Sequence, residues 1–190
     1  AFVDHGARMA LWAAAVLCEY LSPMIGFRLP GLGRSTTRDW TVEGGHIAER
    51  CQLILIVALG ETLLVNGARF ADLESWGGPD VVALLVSFLT TLALWWIRDG
   101  SHVIAHADDP GRISAWFHYI HAVLLGGVIA TAVAAHLVLE APAEHVTPGH
   151  AVALVAGPVL YLAASACYKR VVYGCWAASH LVGIGALALL

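Results

Sequence analysis

Long apolar stretches alternate with short connections rich in glycine, proline and charge along the 190 residues. The apolar runs cover about residues 7–25, 46–66, 81–97, 115–139 and 151–168, and a sixth starts near Cys175 and meets the last residue. A helix needs about 20 apolar residues to cross the hydrocarbon core of a bilayer. The runs are longer than strands, and none alternates with a period of two. The pattern predicts an all-α polytopic transmembrane bundle of about six helices, the last one truncated. The connections carry turn chemistry. Gly77-Gly78-Pro79-Asp80 reads as a stop followed by a start, with Asp80 as N-cap, and Thr147-Pro148-Gly149 opens the fifth helix. Asp108-Asp109-Pro110-Gly111 reads as a turn, with Ser114 capping the fourth helix.

Composition supports the same class. Hydrophobic residues make up 59% of the chain and charged residues 13%, and mean hydropathy is +0.74. That leaves too few polar side chains to cover a soluble fold. The whole chain, residues 1–190, reads as one transmembrane helical domain with the lipid bilayer as its main partner. The net charge of −4 excludes a basic nucleic-acid face. Cys18, Cys51, Cys167 and Cys175 lack paired metal spacing, and three of them lie in apolar runs, where they read as small buried hydrophobes. Since it opens on Ala1 and stops inside an apolar run, the sequence is expected to be a piece of a longer polypeptide.

Basic residues set an expected orientation. Eight of the ten Lys and Arg residues (Arg28, Arg34, Arg38, Arg50, Arg98, Arg112, Lys169 and Arg170) fall at the first, third and fifth connections. Arg8 and Arg69 are on the alternate sides. The odd connections are therefore expected in the cytoplasm and the N-terminus of this segment outside.

The second helix carries the unusual chemistry. Ionised groups are expensive in hydrocarbon and usually face a protein interior or a water-filled cavity. At about 100° per residue, His46, Arg50 and Glu61 fall within a sector of roughly 60°, and Glu49 lies about 60° to the other side of His46. One stripe thus holds all four. A rise of about 1.5 Å per residue separates Arg50 from Glu61 by roughly 16 Å, so they do not pair directly. Glu49, Glu19 and Asp99 are the candidate partners of Arg50, and His118 and His121 are expected at the same cytoplasmic-side depth. Gly60 beside Glu61 offers a close helix approach. A lone buried carboxylate tends to stay protonated, which suits Glu61 to proton carriage. Against this stands an architectural reading in which Glu49 and Arg50 merely fix helix register.

Ten histidines include two close pairs, His102 with His106 and His118 with His121. Such spacing can hold a metal or haem, although helix-end histidines also simply meet headgroups and water. No cofactor is predicted; haem or metal held by histidines is the alternative. The seven tryptophans fall mostly near helix ends, as interfacial belts do.

His46-x-x-Glu49-Arg50-x-x-Leu53 followed by Ala58-Leu59-Gly60-Glu61 resembles the signature of the bacterial low temperature requirement A family of multi-pass membrane proteins. Leu94-Trp95-Trp96 before Asp99, His118-Tyr119-Ile120-His121 leading into Gly127-Val128-Ile129-Ala130-Thr131-Ala132, and Gly157-Pro158-Val159-Leu160-Tyr161-Leu162 extend the likeness. The resemblance implies a bacterial cytoplasmic-membrane protein, linked by name to growth in the cold, and no established reaction. Family members are about twice this long and begin with an acidic-aromatic helix absent here, so the chain resembles their C-terminal half. Its missing N-terminal half is the expected partner, with an oligomer or larger membrane complex as a further one.

The leading functional expectation is a proton-coupled secondary transporter or channel-like protein. Glu61 would carry the proton, Arg50 with Glu49, Glu19 and Asp99 would form an inner gate or anion-attracting site, and His46 is a further transport candidate on the same stripe. The alternatives are a structural or accessory membrane subunit and a metal- or haem-binding membrane protein. An enzyme is least supported, because no nucleophile–base pair or nucleotide motif is visible.

Overall fold

The computed structural model describes residues 4–28, 30–31, 33–35, 44–97, 110–140 and 147–189. Among these residues there are six helices, α1 (His5–Met24), α2 (Gly44–Ala71), α3 (Gly78–Ile97), α4 (Pro110–Glu140), α5 (Pro148–Tyr173) and α6 (Ala178–Leu187), and no strand. Four of the described helices are long and apolar enough to cross a membrane: α2, α3, α4 and α5. With Arg8 and Glu19 in its 20 residues, α1 does not join that set, and α6 is a shorter apolar helix.

The chain forms two compact units, residues 1–42 and 43–190. In the first, the Asp4 carboxylate accepts the amide of Gly6 (3.2 Å) and caps α1. The helix ends in a turn with Gly26 at φ +68°. A Cβ there would lie 2.5 Å from the Ser35 carbonyl oxygen, so the turn requires glycine.

The second unit is built around α4, which packs most extensively on α5 and also on α2 and α3; α6 packs on α5. Two glycines allow the α4–α5 crossing. A Cβ on Gly127 would come within 2.8 Å of the Tyr161 backbone nitrogen, and one on Gly157 within 2.5 Å of the backbone nitrogen and Oγ1 of Thr131. The pairs 127–161 and 131–157 run in opposite senses, as antiparallel neighbours must. Such small-residue crossings are how helices associate where lipid is as apolar as the side chains. The core around this crossing holds Leu55 and Leu59 of α2, Leu94 of α3, Leu124 and Val128 of α4, and Tyr161 and Ala164 of α5.

The helix starts follow local chemistry, with two differences from expectation. Thr147 caps α5, its Oγ1 accepting the His150 amide at 3.3 Å. Asp80 is the third residue of α3 rather than its cap, and reaches back to accept the Gly77 amide at 2.8 Å, which is half of a capping box. α4 begins at Pro110, a full turn before Ser114, because proline is already set for a first helical turn. At the other end of α5, Gly174 adopts φ +73° and stops the helix. The cysteines also differ from expectation: only Cys51 is buried, while Cys18, Cys167 and Cys175 are exposed.

Candidate functional site

The spacing of α2 makes it two-faced. Ala48, Cys51, Leu55, Leu59, Thr62 and Asn66 are buried against the bundle. At about 100° per residue, this set centres roughly 170° from the stripe of His46, Glu49, Arg50 and Glu61. The four polar residues do share one side of one helix, and that side is the opposite of the packed one. All four are exposed on the surface of this chain. The His46 and Glu49 side chains are 73% and 69% accessible, so the stripe does not face the interior of this bundle, the position expected for charge in a membrane. Val57 and Leu64 continue the same face at 69% and 70%.

Within the stripe, His46 Nδ1 lies 3.9 Å from Glu49 Oε2, an i,i+3 pair at the start of the helix. Among the described residues, Arg50 and Glu61 make no ion pair or side-chain hydrogen bond. Nothing lies within 4 Å of a Cβ built on Gly60, so the expected close approach beside Glu61 does not come from within this unit.

The remaining predicted site residues are distributed as follows. Glu19 is exposed on α1, in the unit of residues 1–42. Asp99, His102 and His106 lie outside the described residues. The His118–His121 pair separates: His118 is exposed, while His121 is buried. His121 Nδ1 donates to the Phe117 carbonyl at 2.8 Å and its ring sits against Phe117 (4.1 Å) and Tyr168 (5.6 Å). One turn of helix thus uses its two imidazoles differently, one in the core and one outside. His136 pairs with Glu140 of its own helix at 3.6 Å. No cluster of three or more His, Cys, Asp or Glu able to hold a metal occurs among the described residues.

Sequence reasoning missed a second set of polar groups, those that cross between helices inside the bundle. Asn66 of α2 donates to Ser87 Oγ of α3 at 2.6 Å. Tyr161 of α5 donates its hydroxyl to the Leu94 carbonyl of α3 at 2.8 Å. Ser165 Oγ of α5 and His180 Nε2 of α6 are 2.9 Å apart. The available signal was a hydroxyl or amide on the packed side of an otherwise apolar helix, less conspicuous than a charge.

Four membrane-length apolar helices around a small-residue crossing, one of them bearing a coherent ionisable face, define a polytopic α-helical membrane protein. Its particular kind follows from comparison: the model of the bacterial low temperature requirement A protein family matches residues 1–190, and the chain belongs to that family. It is also 37% identical over 188 residues to an uncharacterized protein of Rhizobium meliloti (strain 1021), a match covering 95% of this chain and 46% of that protein. The chain thus spans about half the length of the curated relative it matches. No solved structure matches it.

Proposed function

We propose that the protein is a proton-coupled membrane transporter or channel-like protein, and that the outward face of α2 lines one wall of its polar pathway. The observation that carries this reading is the segregation of His46, Glu49, Arg50 and Glu61 onto the side of α2 opposite its packed side. Bare lipid is an unfavourable neighbour for that side. A charge near the bilayer centre costs at least about 2.5–3.5 kcal/mol even by the mildest measure, and such groups almost always face protein or water. The face is therefore covered in the working protein. We assign the cover to the other half of a longer polypeptide, in line with the match to only 46% of the relative.

In that arrangement Glu61 is the proton carrier. Val57, Gly60 and Leu64 flank it on the same side of α2, so Glu61 is the isolated ionisable group of an otherwise apolar stretch of that helix. Arg50, with Glu49 and His46 beside it, lies about 16 Å away along the axis at a rise of about 1.5 Å per residue. That group forms a fixed charged gate at one end, while Glu61 alternates between loaded and unloaded states at the other. The proposed setting is the bacterial cytoplasmic membrane, with the first, third and fifth connections in the cytoplasm.

The test uses full-length protein reconstituted in liposomes with a trapped pH-sensitive dye. An imposed pH gradient is expected to drive proton flux through the unmodified protein and not through a folded Glu61→Gln variant. Unchanged flux in that variant removes Glu61 from the mechanism.

The exposure of the stripe also favours a second reading, an accessory subunit that docks through α2. In that case Arg50→Ala and Glu49→Ala abolish co-purification with a larger membrane assembly, and liposomes show no flux with or without Glu61.

A further inference from the structure

A cavity of about 830 Å³ lies between α3 and the α4–α5 pair, with Thr62 of α2 and Leu187 of α6 at its edge. Its size falls in the range of small-molecule sites, about 300–1,000 Å³, and its walls are largely apolar with a few converging polar groups, as such sites are. Those polar groups come from three helices: Thr62, Ser87, Thr90, Thr91 and Thr131. Among the described residues, no Asp, Glu, Lys, Arg or His lines it.

The hydroxyl protons of the threonines are already committed. Thr62 donates to the Ala58 carbonyl (2.9 Å), Thr90 to Val86 (2.8 Å), Thr91 to Ser87 (3.0 Å) and Thr131 to Gly127 (2.8 Å). Each is a bond to the carbonyl four residues back, which leaves the oxygen lone pairs as what the threonine can offer a ligand. Ser87 Oγ accepts from Asn66 of α2 and contributes one hydroxyl donor to the described lining. Pro158 has no amide to give the carbonyl of Leu154, and both residues line the cavity. The walls are therefore rich in acceptors and poor in donors.

That chemistry selects a ligand. A guest must be mostly apolar to match the walls and must bring a hydrogen-bond donor for the oxygens. A cation would also bring donors, but no carboxylate among the described lining residues offsets the cost of burying its charge. A bilayer acyl chain fits the apolar walls and brings no donor at all. We propose that this cavity is a binding site for a neutral, largely apolar alcohol taken up from the bilayer, its hydroxyl donating to the threonine oxygens partway along α3. This site is separate from the outward face of α2, and the inference stands whether or not that face conducts protons.

The test is photolabelling of full-length protein in lipid nanodiscs with an eight-carbon alcohol that carries a diazirine, with adducts mapped by mass spectrometry. Adducts are expected on the cavity walls of α3, α4 and α5. Excess octan-1-ol should suppress them about 3- to 10-fold more effectively than octyl methyl ether, the worth of one uncharged hydrogen bond. A Thr90→Val, Thr91→Val double variant keeps the shape and should remove that preference; Thr90→Val alone, at a half-buried position, should reduce it. Ala135→Phe should block labelling by filling the cavity. Equal competition by alcohol and ether, a preference unaltered by the valine variants, or adducts elsewhere would each overturn the assignment.

Discussion

Gly157→Ala is the sharpest probe of how the bundle holds together. The added Cβ would stand 2.5 Å from the nitrogen and Oγ1 of Thr131 and 2.9 Å from its Cα. Non-bonded heavy atoms settle at about 3.5–4.0 Å, so α4 and α5 must part by about 1 Å at the crossing. A gap of 0.5–1 Å forfeits roughly a quarter to a half of each contact's attraction, and overpacking of this kind costs about 1–3 kcal/mol. Two of the three obstructing atoms are backbone and cannot rotate away, which puts the cost at the upper end. Alanine returns up to about 1 kcal/mol in helix propensity over glycine, leaving a net loss of about 2 kcal/mol. For a chain of this size that corresponds to a fall of about 4–8 °C in thermal midpoint. Size-exclusion chromatography after stepwise heating in detergent reads the midpoint. Gly67→Ala, where nothing lies within 4 Å of the new Cβ, is the control and should leave the midpoint unchanged or slightly raised. Equal midpoints for Gly157→Ala and Gly67→Ala would refute the close-crossing account.

Other expectations follow from the same geometry. Tyr161→Phe removes the bond to the Leu94 carbonyl and should lower stability by about 1–3 kcal/mol, the cost of stranding a buried acceptor, measured by the same heating series. His180→Ala should loosen the end of the bundle, because it strands buried Ser165; hydrogen exchange should rise in α6 and leave the α4–α5 crossing unchanged. Cys175 is an exposed native thiol in the α5–α6 connection, so a membrane-impermeant maleimide should label it in inside-out vesicles and not from the outside. Labelling from the outside would reverse the proposed topology.

The six helices of the described residues and their order were legible in the sequence because the apolar runs are longer than strands and lack a period of two, and four of them reach bilayer length. The shared side of His46, Glu49, Arg50 and Glu61 was legible too, since helical spacing alone sets it. Its direction was not. Periodicity says which residues travel together but leaves open which side of α2 meets a neighbour, and here the small and hydroxyl residues Ala48, Cys51, Thr62 and Asn66 pack while the charges do not. Similar depth does not fix orientation either: His118 and His121 are three residues apart, yet only the His121 ring turns into an aromatic cluster with Phe117 and Tyr168. The family-like segments around Gly127 and Gly157 form the tightest contact of the bundle, and which backbone each glycine meets shows only in the structure, where a missing side chain lies beside the backbone that fills its place.

The bundle is unevenly fastened. α4 and α5 are locked backbone to backbone, whereas α3 packs less extensively and is tied by the Asn66–Ser87 bond near its middle and the Tyr161–Leu94 bond toward its C-terminal end. Uneven fastening gives the molecule a sequence of disassembly, with the loosely tied helix leaving first and the locked pair persisting as a residual hairpin. That hairpin, rather than the charged helix, is the part from which the rest of the unit can be rebuilt.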